Sequence, residues 1–164
     1  MQKIASLKKG LITGFTMIAL SLYFFYGLKW PVNSSGQYII FTIYTLGIAW
    51  GIISFSKNAA PATKFKEYFS AGFKVFIIVT LLMVIYTIVF YKLNPQIIEN
   101  AIIENNKLAL IEGNHTPAEI AANADQFRSI FITMTTAIIT IMYLFLGALI
   151  SAVVSGVIIQ MKNK

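Results

Sequence analysis

The chain has a single histidine, His115, set between Glu112 and Glu119. An imidazole beside carboxylates is the equipment of a metal site or of acid–base catalysis. The spacing works against both. His115 and Glu119 would share a helical turn only if His115 were helical, and it precedes the residue that caps the next helix. It reads as a solvated turn histidine. There is no cysteine, which removes disulfides, Fe–S clusters, thiolate metal sites and cysteine nucleophiles. One histidine cannot build a multi-histidine metal site. No Ser/His/Asp set, P-loop, Gly-rich phosphate loop or zinc motif occurs. The sequence therefore assigns no catalytic residue, no metal ligand and no cofactor.

The remaining polar candidates lie in apolar surroundings. Ionisable groups deep in a membrane are costly and for that reason functional. Only Lys74 comes close, and it is near enough to a helix end for its stem to reach the interface. No apolar segment contains Asp or Glu, so a proton- or sodium-coupled carboxylate site is not expected. Thr133, Thr136 and Thr140 share one helical face and are the candidate polar path. The competing reading is that they bond back to their own helix. Asn33-Ser34-Ser35 and Asn114-His115-Thr116 match the glycosylation pattern, which is short and would matter only in a eukaryotic secretory membrane.

Composition says what must position these residues. Of the 164 residues, 57% are hydrophobic and 12% charged, with a mean hydropathy of +0.74. A soluble domain carries roughly 25% charged residues. So much apolar surface requires lipid as part of the solvent. A membrane-crossing helix needs ~20 mostly apolar residues. The expected spans are 10–28, 36–55, 72–91 and 138–159, within one integral membrane domain covering 1–164. A signal peptide is the competing reading of the first, but its apolar run is too long and no small-residue cleavage site follows.

Basic residues orient the spans, because Lys and Arg are retained on the cytoplasmic side. Nine of them (Lys3, Lys8, Lys9, Lys57, Lys64, Lys66, Lys74, Lys162 and Lys164) fall on one side with a single acid, Glu67. Both termini are expected to be cytoplasmic. The net charge of +7 is then a topology signal, with lipid rather than nucleic acid as the partner. Aromatic residues cluster at the span ends, notably Tyr23, Phe24, Phe25, Tyr26 and Trp30, as membrane anchors do.

Between spans three and four, residues 92–128 form an outer loop too long to be structureless. Asn94-Pro95 reads as an N-cap with proline at the first helical position. The helix is expected to stop at Gly113-Asn114. Its apolar arc holds Ile97, Ile98, Ala101, Ile102, Leu108 and Ala109, with Asn105 in the middle and Ile103 and Leu110 outside it. Thr116-Pro117-Ala118-Glu119 is a capping box, and neither proline nor glycine occurs between Pro117 and Gly147. The helix begun at Thr116 should therefore run into the fourth span. An apolar stretch of 33 residues, 129–161, measures ~50 Å against a ~30 Å hydrocarbon core. Residues 116–137 should thus project as a stalk. We expect a helical hairpin over 94–137, with helix 95–111 packed on the stalk; the alternatives are a strongly tilted fourth span or a helix 95–111 lying flat on the membrane surface.

Small residues at i, i+4 spacing let helices approach closely in lipid. Gly10 and Gly14, Gly47 and Gly51, and Gly147, Ser151 and Ser155 are the candidate packing seams, within one chain or in a homo-oligomer. Span three has few small residues along its core and is expected to face lipid most.

The chain resembles the DUF4199 family, small four-span proteins of Bacteroidota. The resemblance is carried by Lys9-Gly10-Leu11-Ile12-Thr13-Gly14, by the run Phe65 to Lys74 entering span three, and by Asn94-Pro95 with the acidic helix after it. It implies a bacterial inner-membrane protein whose outer hairpin is periplasmic. The family has no established activity, so no catalytic residue is carried over. It also hints at a membrane enzyme of glycolipid processing as neighbour. The expected fold is an all-α membrane protein: four transmembrane helices, a periplasmic helical hairpin between the third and fourth, and a fourth helix extended beyond the bilayer. The expected function is that of a non-enzymatic accessory or scaffold protein with a membrane-protein partner, Ile103 and Leu110 being the candidate partner surface. The alternative is a small oligomeric transporter, flippase component or channel.

Overall fold

The structure, a computed structural model, describes residues 2–32, 34–60, 62–113 and 116–162; the side chains of residues 2–5 and of Glu112 are not described. The chain is helical throughout the described residues. The order is α1 (Gln2–Leu22), a π-helical turn (Tyr23–Gly27), α2 (Gly36–Ser56), α3 (Phe65–Leu93), α4 (Pro95–Glu112) and α5 (Pro117–Lys162). Four helical segments are long and apolar enough to cross a membrane: 6–27, 36–56, 65–93 and 117–162.

Local chemistry sets the breaks. Pro95 has no N–H to continue the α3 ladder, and its ring drives the preceding residue out of helical geometry. Asn94 accordingly sits at φ −126°, ψ 59°. The sequence predicts that its side chain caps α4, but it makes no such bond. Its amide Nδ2 donates instead to the Phe90 carbonyl at 2.8 Å, closing the end of α3. Gly113 ends α4 in the left-handed region at φ 70°, where a side chain would be strained. Thr116 and Glu119 then form the reciprocal box. The Thr116 N–H donates to Glu119 Oε2 at 2.8 Å, and the Glu119 N–H donates to Thr116 Oγ1 at 3.3 Å. From there α5 runs 46 residues without a break, ~69 Å of helix and more than twice the hydrocarbon thickness.

The chain divides into two compact units. Unit 1 comprises residues 1–83 and 140–164, so it holds α1, the π turn, α2, the first two-thirds of α3 and the second half of α5. Its core is built from Met17, Tyr44, Ile48, Ile52, Tyr68, Val75 and Val79, all fully buried. Unit 2 comprises residues 84–139: the end of α3, α4 and the first half of α5. Phe90, Tyr91, Ile98, Ile102 and Ile120 are buried there, and the Tyr91 ring meets Phe131 edge-on at 5.1 Å.

Burial overturns one expectation. The α3 span has the largest buried share of the four, 39% of its apolar window against 17–33% for the others. Its large side chains are the reason. Gly10 of α1 abuts Val75 and Ile78, Gly14 abuts Leu82, Gly51 of α2 abuts Val75, and Gly147 of α5 abuts Phe76. Small residues on three helices open the grooves, and α3 fills them.

Candidate functional site

In unit 1 the polar centre is Tyr44, which is fully buried. Its hydroxyl donates to the Tyr143 carbonyl on α5 at 2.7 Å, and the two rings meet edge-on at 5.0 Å. Thr80 of α3 is its side-chain neighbour and donates to its own Phe76 carbonyl at 2.8 Å. The arrangement depends on Gly147: a Cβ there would overlap the Tyr44 hydroxyl and the Phe76 ring. One hydroxyl thus links α2, α3 and α5 where lipid offers no competing hydrogen bond. Gly47 likewise leaves room for Thr13 of α1, whose methyl and hydroxyl would collide with any side chain at that position.

The small residues of α5 continue this seam toward the C-terminus. Ser151 lies against Gly72 of α3, its Oγ 2.6 Å from where a Cβ would sit. One turn further on each antiparallel helix come Ser155 and Tyr68. Ser151 Oγ, Ser155 Oγ and Tyr68 Oη are buried and have no hydrogen-bond partner. This departs from the helix-bonded hydroxyls of Thr16, Thr42, Thr45 and Thr80, each of which donates to the carbonyl four residues back. Lys162 closes the end of the seam, with Nζ over the Tyr68 ring at 5.4 Å and 3.5 Å from the Ser56 carbonyl.

In unit 2 the organising residue is Arg128. Its Nε and Nη2 donate to the two carboxylate oxygens of Glu99, each at 2.8 Å, and Nη1 donates to Asp125 at 2.8 Å. Glu99 lies ~20 Å along α4 from the turn and Arg128 ~17 Å along α5, so the pair can form only between antiparallel helices. The guanidinium holds the Glu99 carboxyl below its ordinary range, and the carboxylates raise Arg128 in turn. Both side chains are about half exposed, so this is an alignment device more than a source of stability.

The ion pair also fixes the roll of α4. Ile98 and Ile102 are buried, whereas Leu108 and Asn105 are exposed. The buried arc is thus rotated from the one drawn on hydrophobicity alone, toward Glu99. Ile103 (51% exposed), Leu110 (65%) and Ile111 (81%) stand uncovered. Thr133 is exposed, and Thr136 and Thr140 are half-buried; the two half-buried ones have interaction partners. His115, Asn114 and Asn33 lie outside the described residues. Among the described residues no three His, Asp or Glu side chains converge as a metal site would need.

Sequence reasoning passed over Tyr44, Tyr143 and the Glu99–Arg128 pair. The signals were a phenol in mid-span and the only arginine of the chain, set about as far beyond the turn as Glu99 is before it.

Four apolar helices with a buried hydroxyl network define a helical protein of the multi-pass membrane class. The profile of DUF4199, described as a protein of unknown function, matches residues 8–159, and the chain belongs to this family. No curated protein and no solved structure matches it.

Proposed function

We propose that this protein is a non-enzymatic accessory or scaffold protein of a bacterial inner membrane, of the Bacteroidota four-span kind. Its termini are cytoplasmic, residues 92–128 are periplasmic, and the hairpin over 94–137 presents a surface to a membrane-protein partner. The observation that carries this reading is the uncovered aliphatic row on α4. Arg128 fixes which face of α4 is buried, yet Ile103 and Leu110 are left in the open. Exposed aliphatics on an ordered helix fit a contact surface. A membrane enzyme of glycolipid processing is the partner we favour.

The test is a gentle-detergent pull-down from native membranes with a C-terminal tag, read by mass spectrometry. The unmodified chain should retain a specific membrane enzyme, and Ile103→Asp with Leu110→Asp should lose it. Recovery of the chain with itself alone counts against the scaffold.

A second reading, a small oligomeric transporter, flippase component or channel, is favoured by the unpartnered hydroxyls of Tyr68, Ser151 and Ser155. Buried hydroxyls without partners cost about 1–3 kcal/mol each, and a hydrated state of the seam would relieve that. Solute flux in reconstituted vesicles, lost in Ser151→Ala with Ser155→Ala, would favour it over the scaffold.

A further inference from the structure

The surface of unit 1 carries an ammonium group without a hydrogen-bond acceptor. Lys9 is half-buried on α1, and its Nζ lies 5.5 Å over the ring of Trp50 on α2. Among the described residues no oxygen accepts from it. An ammonium has three protons to place, and an aromatic face answers only part of that need. The seat is built by backbone geometry. Thr13, one turn along α1, packs into the space left by Gly47, one turn before Trp50 on α2. This crossing fixes Lys9 against the indole.

The charge around the seat is one-sided. Gly10 abuts Val75, so Lys8, Lys9 and Lys74 lie at one level of unit 1. Among the described residues no lysine of unit 1 pairs with a carboxylate. The nearest acid in the sequence, Glu67, is engaged by the Lys64 backbone N–H at 2.9 Å. Beside the charge runs an apolar wall: Trp50 is 45% exposed, and Leu46 and Ile39 continue its face of α2 away from Lys9. An unanswered cation, an amphipathic ring and an aliphatic strip in that order match the headgroup, ester region and acyl chain of a lipid.

We infer that the Lys9–Trp50 seat binds an anionic phospholipid, its phosphate oxygens accepting from Lys9 and an acyl chain lying along Leu46 and Ile39. A zwitterionic lipid brings its own cation into the field of Lys8 and Lys74; an anionic one does not. This inference stands apart from the scaffold reading, since it needs neither a partner protein nor the outer hairpin.

The chain has two tryptophans, Trp30 and Trp50, so Trp30→Phe leaves Trp50 as the sole indole. The Trp30→Phe protein is reconstituted in phosphatidylcholine bilayers containing either brominated phosphatidylglycerol or brominated phosphatidylcholine at equal mole fraction. Bromine quenches indole fluorescence at contact, so quenching reads which lipid sits at Trp50. The expected result is excess quenching by the brominated anionic lipid. Lys9→Gln should lower its relative affinity about five-fold, the size expected of one lysine near the membrane surface. Lys9→Arg should keep the excess, and Lys162→Gln should leave it unchanged. Equal quenching by the two lipids, or an undiminished excess in Lys9→Gln, overturns the inference. Loss of the excess on adding inorganic phosphate overturns the lipid as occupant. Should Lys9→Gln fail to fold, Lys9→Arg and the comparison of the two lipids still decide.

Discussion

Among the described residues unit 1 has no ion pair, whereas in unit 2 Arg128 makes two. Unit 1 is held instead by close backbone approach: glycines on α1, α2 and α5 receive the side chains of α3, Thr13 and Tyr44. Unit 2 has its own aromatic contacts, but its helix ends are set by a capping box and a left-handed glycine, and its pairing by a guanidinium fork. The difference fits the topology proposed above, in which the helices of unit 1 cross the bilayer and residues 92–128 meet water. In hydrocarbon the hydrophobic effect does not press helices together, so fit and the rare hydrogen bond must do it. In water a charge costs little to expose, so an ion pair can set register without a desolvation penalty. On that proposed topology each unit would use the interactions that its surroundings make effective.

This contrast can be broken in either unit. The largest effect belongs to Gly147→Leu, which drives a side chain into the Tyr44 hydroxyl and the Phe76 ring. We expect a loss of about 3 kcal/mol or more, seen as lost cooperative unfolding in detergent. Ser129→Pro should cost about 3 kcal/mol by breaking α5 within unit 2. Protease cleavage should then rise within residues 84–139 while the glycine-packed helices stay protected. Cleavage spreading equally through unit 1 would refute the separation. Thr116→Ala removes the hydroxyl of the capping box and should cost about 1 kcal/mol, read as faster amide exchange at the start of α5.

Tyr44→Phe deletes the hydroxyl that links α2 to α5. Interhelical hydrogen bonds in membranes average about 0.6 kcal/mol, so the thermal midpoint should fall slightly, with no change in unit 2. The smallest effect is that of pH on the Glu99–Arg128 pair. The Glu99 carboxyl lies below its ordinary value of 4.5 when folded. A depressed carboxyl supports the folded state above the unfolded value and withdraws that support as pH falls through the folded one. Amide protection factors in unit 2 should therefore fall below about pH 4.5, and Glu99→Gln should flatten this response. Unit 1 has no such carboxylate pair among its described residues and should not respond.

Much of the architecture was legible because its signals are local. The ends of α4 and α5 follow from Pro95, Gly113 and the Thr116–Glu119 box, each readable within four residues. The central place of α3 was not, because it depends on glycines elsewhere in the chain. A helix rich in Ile, Leu and Val looks lipid-facing until one knows that Gly10, Gly51 and Gly147 supply the grooves for it. The face of α4 was misjudged for a related reason. Hydrophobicity alone centres its buried arc near Asn105, but pairing with an arginine on another helix turns Glu99 inward and Leu108 outward. Tyr44 escaped notice because a phenol in mid-span has meaning only once the Tyr143 carbonyl is placed beside it.

The division of α5 between the two units carries a consequence for biosynthesis. Unit 1 is completed by residues 140–164, which leave the ribosome only after all of residues 84–139 have been made. At ~5–20 residues per second that interval is roughly 3–11 s. Throughout it the Tyr44 hydroxyl has no Tyr143 carbonyl to bond, and the faces of α2 and α3 that receive α5 lie open to the bilayer. For those seconds the nascent chain is most exposed to wrong pairing and to quality-control proteases, and a chaperone of membrane insertion would find its longest opportunity there.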